Sequence, residues 1–355
     1  MKKWMNKYLD NTILELAIPG THNSAITKNT LNMDNPLDSK YNKWYINIIN
    51  YLMPNAVRYW TVNQQLNIKE QLIIGVRYIE LKLSVYNNDI YVSHSYQGPS
   101  LDSVLDLIND FYTENGTSEV IVLLFKVDYE NKEKFNLQNN KKLLSNKIKN
   151  HQIFNYITNI NNPLNTKIKD FKDSPIILIL DDNLYIGEIG YNFYSFNIYD
   201  KWFNTNNEDK LEDKINEAIN SDEYKNSSLK ILQNILTPDI SNISQTIILG
   251  VYLGVNILYL CIIFIITTIQ SYRNGLCGFK NVIKNYIIWI ILLLLIISWP
   301  IYYFISKPSL GVLKLSEKAN QNFIKNIPQY NNINIVMVDN IDETFVNKII
   351  KINET

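Results

Sequence analysis

The chain has 355 residues and a formal net charge of zero. That length supports a large core, as one big domain or two ordinary ones, and the charge balance gives no footing for a nucleic-acid partner. Two cysteines, Cys261 and Cys277, make neither a disulfide framework nor a metal site, and Cys261 sits in an apolar run where a thiol acts as a small hydrophobe.

The N-terminus, Met1 to Lys7, has no apolar core after its lysines, so no signal peptide is read. The run Leu14-Glu15-Leu16-Ala17-Ile18-Pro19-Gly20-Thr21-His22-Asn23-Ser24 then reads as a short buried strand that delivers a histidine. Residues 28–63 read as loop, yet they hold Trp44, Tyr45, Ile46, Ile48, Ile49, Tyr51, Leu52 and Met53. Two readings stand there: core packing, or a rim helix touching a membrane through Trp44, Tyr45 and Ile48.

Residues 75–85 alternate as a strand, with Arg77, Ile79, Leu81 and Leu83 on one face and Tyr78, Glu80 and Lys82 on the other. A turn at 87–89 leads into a strand ending at His94-Ser95, and Ser100 caps a helix over 101–112. Further strands are read at 120–126, 175–182, 193–200, 229–236 and 333–339, and helices at 142–157, 211–219, 310–324 and 345–352. Roughly eight strands alternating with helices predict an irregular TIM-type β/α barrel. It is irregular because a three-residue turn before the His94 strand is too short for a parallel crossover, which takes about a dozen residues.

Two stretches, 247–269 and 286–305, carry no charge, and each is long enough to cross a bilayer as a helix. Trp289, Trp299, Tyr302 and Tyr303 sit towards the ends of the second. The expected organisation is a barrel over 1–245, a two-helix transmembrane hairpin over 246–306 inserted before the last helix–strand unit, and a closing barrel part over 307–355. The expected location is therefore a multi-pass membrane protein. A cytosolic barrel is the default, although the basic residues of the loop (Arg273, Lys280, Lys284) prefer the cytosol themselves. With the barrel outside, Asn115, Asn226 and Asn242 become glycan acceptors.

The C-terminal strand ends hold His22, Lys82, His94, Lys126, Asp182, Asp200 and Asp339. In a parallel barrel these ends share one face, and active sites sit there. The set suits phosphoryl transfer. One histidine takes a proton from a nucleophile and the other gives one to a leaving oxygen. The lysines neutralise phosphate charge, and an acid such as Asp339 orients the basic histidine. Ordinary polar histidines and solvent-facing lysines are the plain alternative. His151 has no motif around it and reads as structural or surface.

Ile18-Pro19-Gly20-Thr21-His22-Asn23-Ser24 resembles the opening motif of the X domain of phosphatidylinositol-specific phospholipases C. So do Gln71-Leu72 with 75–82 and the histidine of Val92-Ser93-His94, and after the hairpin Ile335-Val336-Met337-Val338-Asp339. The resemblance implies a distorted TIM barrel acting on phosphoinositide lipid at a bilayer. It implies His22, paired with Asp339, as base on the inositol 2-hydroxyl, and His94 as acid to the diacylglycerol oxygen. Lys82 stands where the calcium-dependent branch has an aspartate ligand, and Lys126 where it has a glutamate. Ammonium groups cannot ligate calcium, so the resemblance implies a calcium-independent site with no cofactor. Asn23 is the calcium branch's residue type, and lysine at 82 lacks arginine's bidentate geometry. Asp200-Lys201-Trp202 looks like the segment that holds the inositol ring. Asn23, Glu80, Lys126, Asp182, Asp200 and Trp202 form the expected substrate-binding set. The competing readings are a glycerophosphodiester phosphodiesterase and an X domain that only binds headgroups.

Overall fold

A computed structural model describes residues 2–37, 54–128, 132–238, 311–327, 330 and 332–354, together with Tyr259, Ile262, Ile263, Ile266 and Ile269. Its centre is a curled sheet of eleven strands among the described residues. In chain order these are β1 (Ile18–Thr21), β2 (Asn32–Pro36), β3 (Tyr78–Tyr86), β4 (Asp89–His94), β5 (Tyr96–Ser100), β6 (Ile121–Val127), β7 (Ile176–Leu180), β8 (Tyr191–Asn192), β9 (Ile198–Lys201), β10 (Leu229–Asn234) and β11 (Ile335–Val338). The main helices are α1 (Pro54–Thr61), α2 (Ile68–Ile74), α3 (Leu101–Asn115), α4 (Gln138–Asn150), α5 (Glu208–Asn220), α6 (Val312–Asn326) and α7 (Glu343–Ile352).

Eight strands pair in parallel in the order β9-β10-β11-β1-β3-β6-β7-β8. Among the described residues nothing pairs β8 with β9, so the sheet curls as an open barrel. The other strands form the antiparallel run β3-β4-β5-β2 on its flank. The short turn expected to forbid a parallel crossover does so: β3 and β4 are an antiparallel hairpin, Leu83 opposite Val92.

Strand parity separates two cores. Inward residues Ile18, Tyr78, Val122, Leu124, Ile177, Ile179, Leu229, Ile231, Ile335 and Met337 fill the barrel. Outward residues such as Ile79, Leu81, Leu83, Leu123, Phe125, Leu178, Leu180, Val336 and Val338 join the helices in a second, larger cluster. Trp4, Met5, Ile13 and Leu16 close the inner core where the strands begin, and Trp4 donates its indole N–H to the carbonyl of Gly75 at 2.9 Å. Gly75 ends α2 with φ 117°, a conformation that suits glycine. Gly20 is fixed by proximity: a Cβ there would lie 2.7 Å from the Tyr78 ring.

Some elements differ from expectation. β1 is shorter than the apolar run, because Thr12 and Glu15 form a capping box that turns Ile13–Glu15 into a 3-10 helix. The helix expected over 142–157 is α4, ending at Asn150, followed by a 3-10 helix at Gln152–Tyr156. His151 starts the latter by accepting the Ile153 N–H, a structural role.

The hairpin expected over 246–306 lies outside the described residues, save the five named above. The same holds for Trp44, Tyr45 and Ile48. The expected location is corrected: among the described residues no helix is long and apolar enough to cross a membrane. An uncharged stretch supplies the composition of a span; a span also needs a continuous helix of about twenty residues.

Arg77 and Glu119 tie the N-terminal plug to the barrel. Both side chains are fully buried, with Nε to Oε2 at 2.8 Å. Arg77 also donates to the carbonyls of Lys2, Leu72 and Val76, and Glu119 accepts the Met5 N–H. Removing one partner strands a buried charge, so Arg77→Ala should lower unfolding free energy by about 3–5 kcal/mol. Urea denaturation checks this, and a loss below about 1 kcal/mol would refute it.

Candidate active site

Register and parity assemble one cluster at the C-terminal ends of the parallel strands. Thr21 pairs with Val338 on one side and with Ile79 on the other. One residue further, His22 lies level with Asp339 and Glu80. Its backbone N–H bonds the carbonyl of Val338 at 3.0 Å. Continuing the inward parity of each strand gives Glu80 and Lys82 on β3, Lys126 on β6, Asp200 on β9 and Gln233 on β10. All of these but Asp200 line a cavity of about 380 Å3, together with His94, Trp60, Asn63 and Trp202.

His22 sits at the centre. Its Nδ1 is 2.9 Å from Asp339 Oδ1, and its Nε2 is 2.9 Å from Lys82 Nζ. An ammonium only donates, so Nε2 accepts and Nδ1–H donates to the carboxylate. Asp339 is buried, with its carbonyl bonded by Asn320 at 3.0 Å. Gln64 fixes the strand ends by donating to the carbonyls of His22 and Val338 and accepting the Ile341 N–H.

His94 arrives differently. β3 runs past the barrel mouth, and β4 returns antiparallel beside it, which brings His94 back to the cavity. The His22 and His94 ring centroids are 6.3 Å apart and their planes meet at 71°. Nδ1 of His94 donates to the carbonyl of Thr61 at 2.9 Å, so Nε2 is the acceptor in the neutral ring. Burial, and then the Lys82 charge, push the imidazole down from 6.5 to about 4.

Beneath the histidines lies a charged layer. Lys126 Nζ is 3.0 Å from Glu80 Oε1 and bonds Asp200 as well. Burial alone would raise the Glu80 carboxyl. The charges of Lys126 and then Lys82 outweigh it and hold Glu80 well below the usual carboxylate range. Burial opposes the Lys126 charge too, and Asp200 with Glu80 more than restores it. Gln233 donates its amide to Asp200.

The structure thus brings together His22, His94, Asp339, Lys82, Glu80, Lys126 and Asp200. Trp202 lies at the rim, 55% exposed, its indole donating to Thr237 Oγ1 at 2.9 Å. Two expected residues are placed elsewhere. Asp182 is off the cavity and accepts from Asn192 at 3.1 Å. Ile177 and Ile179 point inward, so parity sends residue 182 to the outer face. Asn23 is buried behind the cavity, its N–H bonded to Glu80 Oε2 at 3.2 Å. Among the described residues no group of three or more His, Cys, Asp or Glu is arranged to hold a metal ion. Asn63 and Gln233 belong to the cluster and were not expected. Gln233 was legible as the third inward position after Leu229 and Ile231; Asn63 carried no such signal.

No protein-family model matches the chain. A PI-PLC X-box domain-containing protein of Dictyostelium discoideum is 29% identical over 198 residues, covering 51% of this chain and 23% of that protein. The human PI-PLC X domain-containing protein 3 is 26% identical over 122 residues, 33% of this chain and 38% of that one. The relatives support the X-domain family. The chain thus spans well under half the length of the curated relatives it matches. In fold, it is similar to the phosphatidylinositol-specific phospholipase C of Listeria monocytogenes, with a TM-score of 0.56 at 16% identity over 99% of this chain and 98% of that one. The likeness to the S. aureus phosphatidylinositol-specific phospholipase C gives 0.54 at 13% identity, over 98% and 95%.

Burial of the His94 imidazole ties stability to pH. Between about 4 and 6.5 the unfolded chain binds a proton there that the folded chain does not. The contribution is therefore full above about 6.5 and is lost as pH falls towards 4. Thermal unfolding of the wild type should lose midpoint more steeply across that window than His94→Gln does. Parallel slopes would refute it.

Proposed function

We propose that the chain is a phosphodiesterase that cleaves phosphatidylinositol-type lipids, with His22 as base, His94 as acid and no calcium. The observation that carries the reading is the pair of histidines across one cavity, one of them backed by a buried carboxylate. Asp339 holds the Nδ1 proton of His22 and stabilises the imidazolium once Nε2 has taken a proton. Binding modules need no such arrangement.

In the proposed reaction the inositol 2-hydroxyl gives its proton to His22 Nε2, and its oxygen forms a bond to the adjacent phosphorus. The bond from phosphorus to the diacylglycerol oxygen breaks, and that oxygen takes a proton from His94 Nε2. The products are diacylglycerol and a cyclic inositol phosphate, which water opens with the histidines in exchanged roles. Nucleophile and phosphorus belong to one molecule, so the attack is intramolecular. Lys82 Nζ rests on His22 Nε2, the atom that the hydroxyl must reach. The proposed substrate therefore displaces Lys82 onto its phosphate, where the ammonium neutralises developing charge. The phosphodiester anion in turn raises His94 from about 4 into the range of a working acid.

Calcium independence is supported by the donor set. Glu80 and Asp200, oxygen donors beside the cavity, are both engaged by the Lys126 ammonium. A calcium ion needs six to eight oxygens and would have to displace that cation. Lys126, Glu80, Asp200 and Trp202 are proposed to meet the inositol ring. The two barrel parts, 1–245 and 307–355, are proposed as one catalytic unit, since β11 lies between β1 and β10 in the sheet.

The purified chain with phosphatidylinositol vesicles in EGTA should release cyclic inositol phosphate. His22→Ala and His94→Ala should each lower turnover by about 10²-fold or more with the fold intact. Glycerol phosphate as product, a requirement for added metal, or wild-type rates in either variant would sink the reading. No turnover with retained vesicle binding would favour a headgroup-binding module.

A further inference from the structure

Asn63 occupies a place in the cluster that no motif announces. It follows α1, and its side chain is buried at the cavity wall. Its backbone is held on both sides: the N–H donates to Ile26 at 3.1 Å, and the carbonyl accepts from Asn340 at 2.7 Å. The side chain is thus presented from a fixed backbone. Its Nδ2 donates to Asp339 Oδ1 at 2.9 Å, the same oxygen that accepts from His22. Its Oδ1 accepts from Asn23 Nδ2 at 3.2 Å.

These contacts close a circuit. His22 bonds Asp339, Asp339 bonds Asn63, Asn63 bonds Asn23, and Asn23 is joined to His22 by a peptide bond. Asn23 has φ 43°, a left-handed conformation that asparagine tolerates better than most residues. Its amide donates to Asn63, and its own Oδ1 is buried with no hydrogen-bond partner among the described residues. The asparagine at 23 therefore has a use that needs no metal: it orients the amide that orients the carboxylate.

We propose that Asn63 is a positioning residue for the His22–Asp339 pair. The inference rests on the phosphodiesterase reading above. A neutral donor to a buried carboxylate stabilises its ionised form and fixes which oxygen faces the imidazole. With that donor gone, Asp339 is free to turn, and His22 loses the partner that sets its tautomer.

Asn63→Asp separates this role from packing. The shape and the acceptor towards Asn23 remain, and only the donor towards Asp339 is replaced. Two carboxylates at this distance share one proton. While the pair holds that proton, the introduced carboxyl donates to Asp339 as the Asn63 amide did; once it is lost, the two repel. The variant should keep activity on the acid side and lose it as pH rises, with its alkaline limb at least one pH unit below that of the wild type. Asn63→Ala should lower kcat by about tenfold or more at every pH, part of the roughly 10²–10⁴-fold that a general base contributes. KM should change by less than about twofold, because Asn63 acts through Asp339.

The assay uses the full chain on phosphatidylinositol vesicles across the pH range, with fold followed by circular dichroism. Wild-type turnover is measured first, and its absence fails the phosphodiesterase reading itself. Given turnover, a wild-type pH profile in the Asn63→Asp variant, or unchanged kcat in the Asn63→Ala variant, overturns only the role of Asn63. Loss of fold in both variants overturns it too, since Asn63 would then be a folding residue.

Discussion

The site depends on where one four-residue strand is inserted. β1 lies between β11 and β3, parallel to both, so the first and last strands of the chain are neighbours. Register does the rest. Thr21 opposite Val338 sets His22 beside Asp339, 317 residues away in sequence. The pairing is strongly specified because a one-residue slip would turn every inward side chain of β1 outward. Gly20 guards it sterically, since Tyr78 of β3 leaves no room for a Cβ there.

Inside the barrel, polarity changes along its axis within a few residues. Tyr78, Glu80 and Lys82 are successive inward positions on β3, running from apolar core through buried charge to the cavity. A buried carboxylate such as Glu80 requires close counter-charge, which Lys126 supplies from the neighbouring strand. Lys126 in turn bridges to Asp200 across the barrel. This layer couples β3, β6 and β9 electrostatically, although β9 is paired with neither of the other two. In an open barrel such a link holds the mouth in shape where hydrogen bonds between β8 and β9 are missing among the described residues.

Much of this was legible, for identifiable reasons. Period-two alternation located β3 and put Glu80 and Lys82 on one face, and turn length ruled out a parallel crossover between β3 and β4. Position alone does not place a side chain in the site. Asp182 follows a strand end as the site residues do, yet its parity is that of Leu178 and Leu180, which face the helices. Local chemistry also overrode hydrophobicity. The Thr12–Glu15 capping box shortened β1, and His151 interrupted a helix by capping the next turn. Asn63 was not legible because its partners Asn23 and Asp339 lie just beyond the ends of β1 and β11, distant in sequence, and a single asparagine after an aromatic helix end carries no pattern. The membrane expectation failed at another level, since it rested on absence of charge and not on a described element.

The two histidines show how one residue type acquires two characters. Both are imidazoles whose Nδ1 donates and whose Nε2 accepts. The difference lies in what Nδ1 meets. For His22 it is a buried carboxylate; for His94 it is a neutral backbone carbonyl. Burial and the nearby Lys82 charge then push His94 down to about 4. A group of that kind is a poor acid until an anion arrives beside it. In the proposed reaction the proton that His94 donates would be drawn in by a substrate that carries a phosphate, whereas a neutral lipid bound in the same cavity would leave the ring uncharged. In the proposed complex the same Lys82 that depresses His94 moves onto that phosphate, so the charge that blocks protonation is screened by the ligand that requires it.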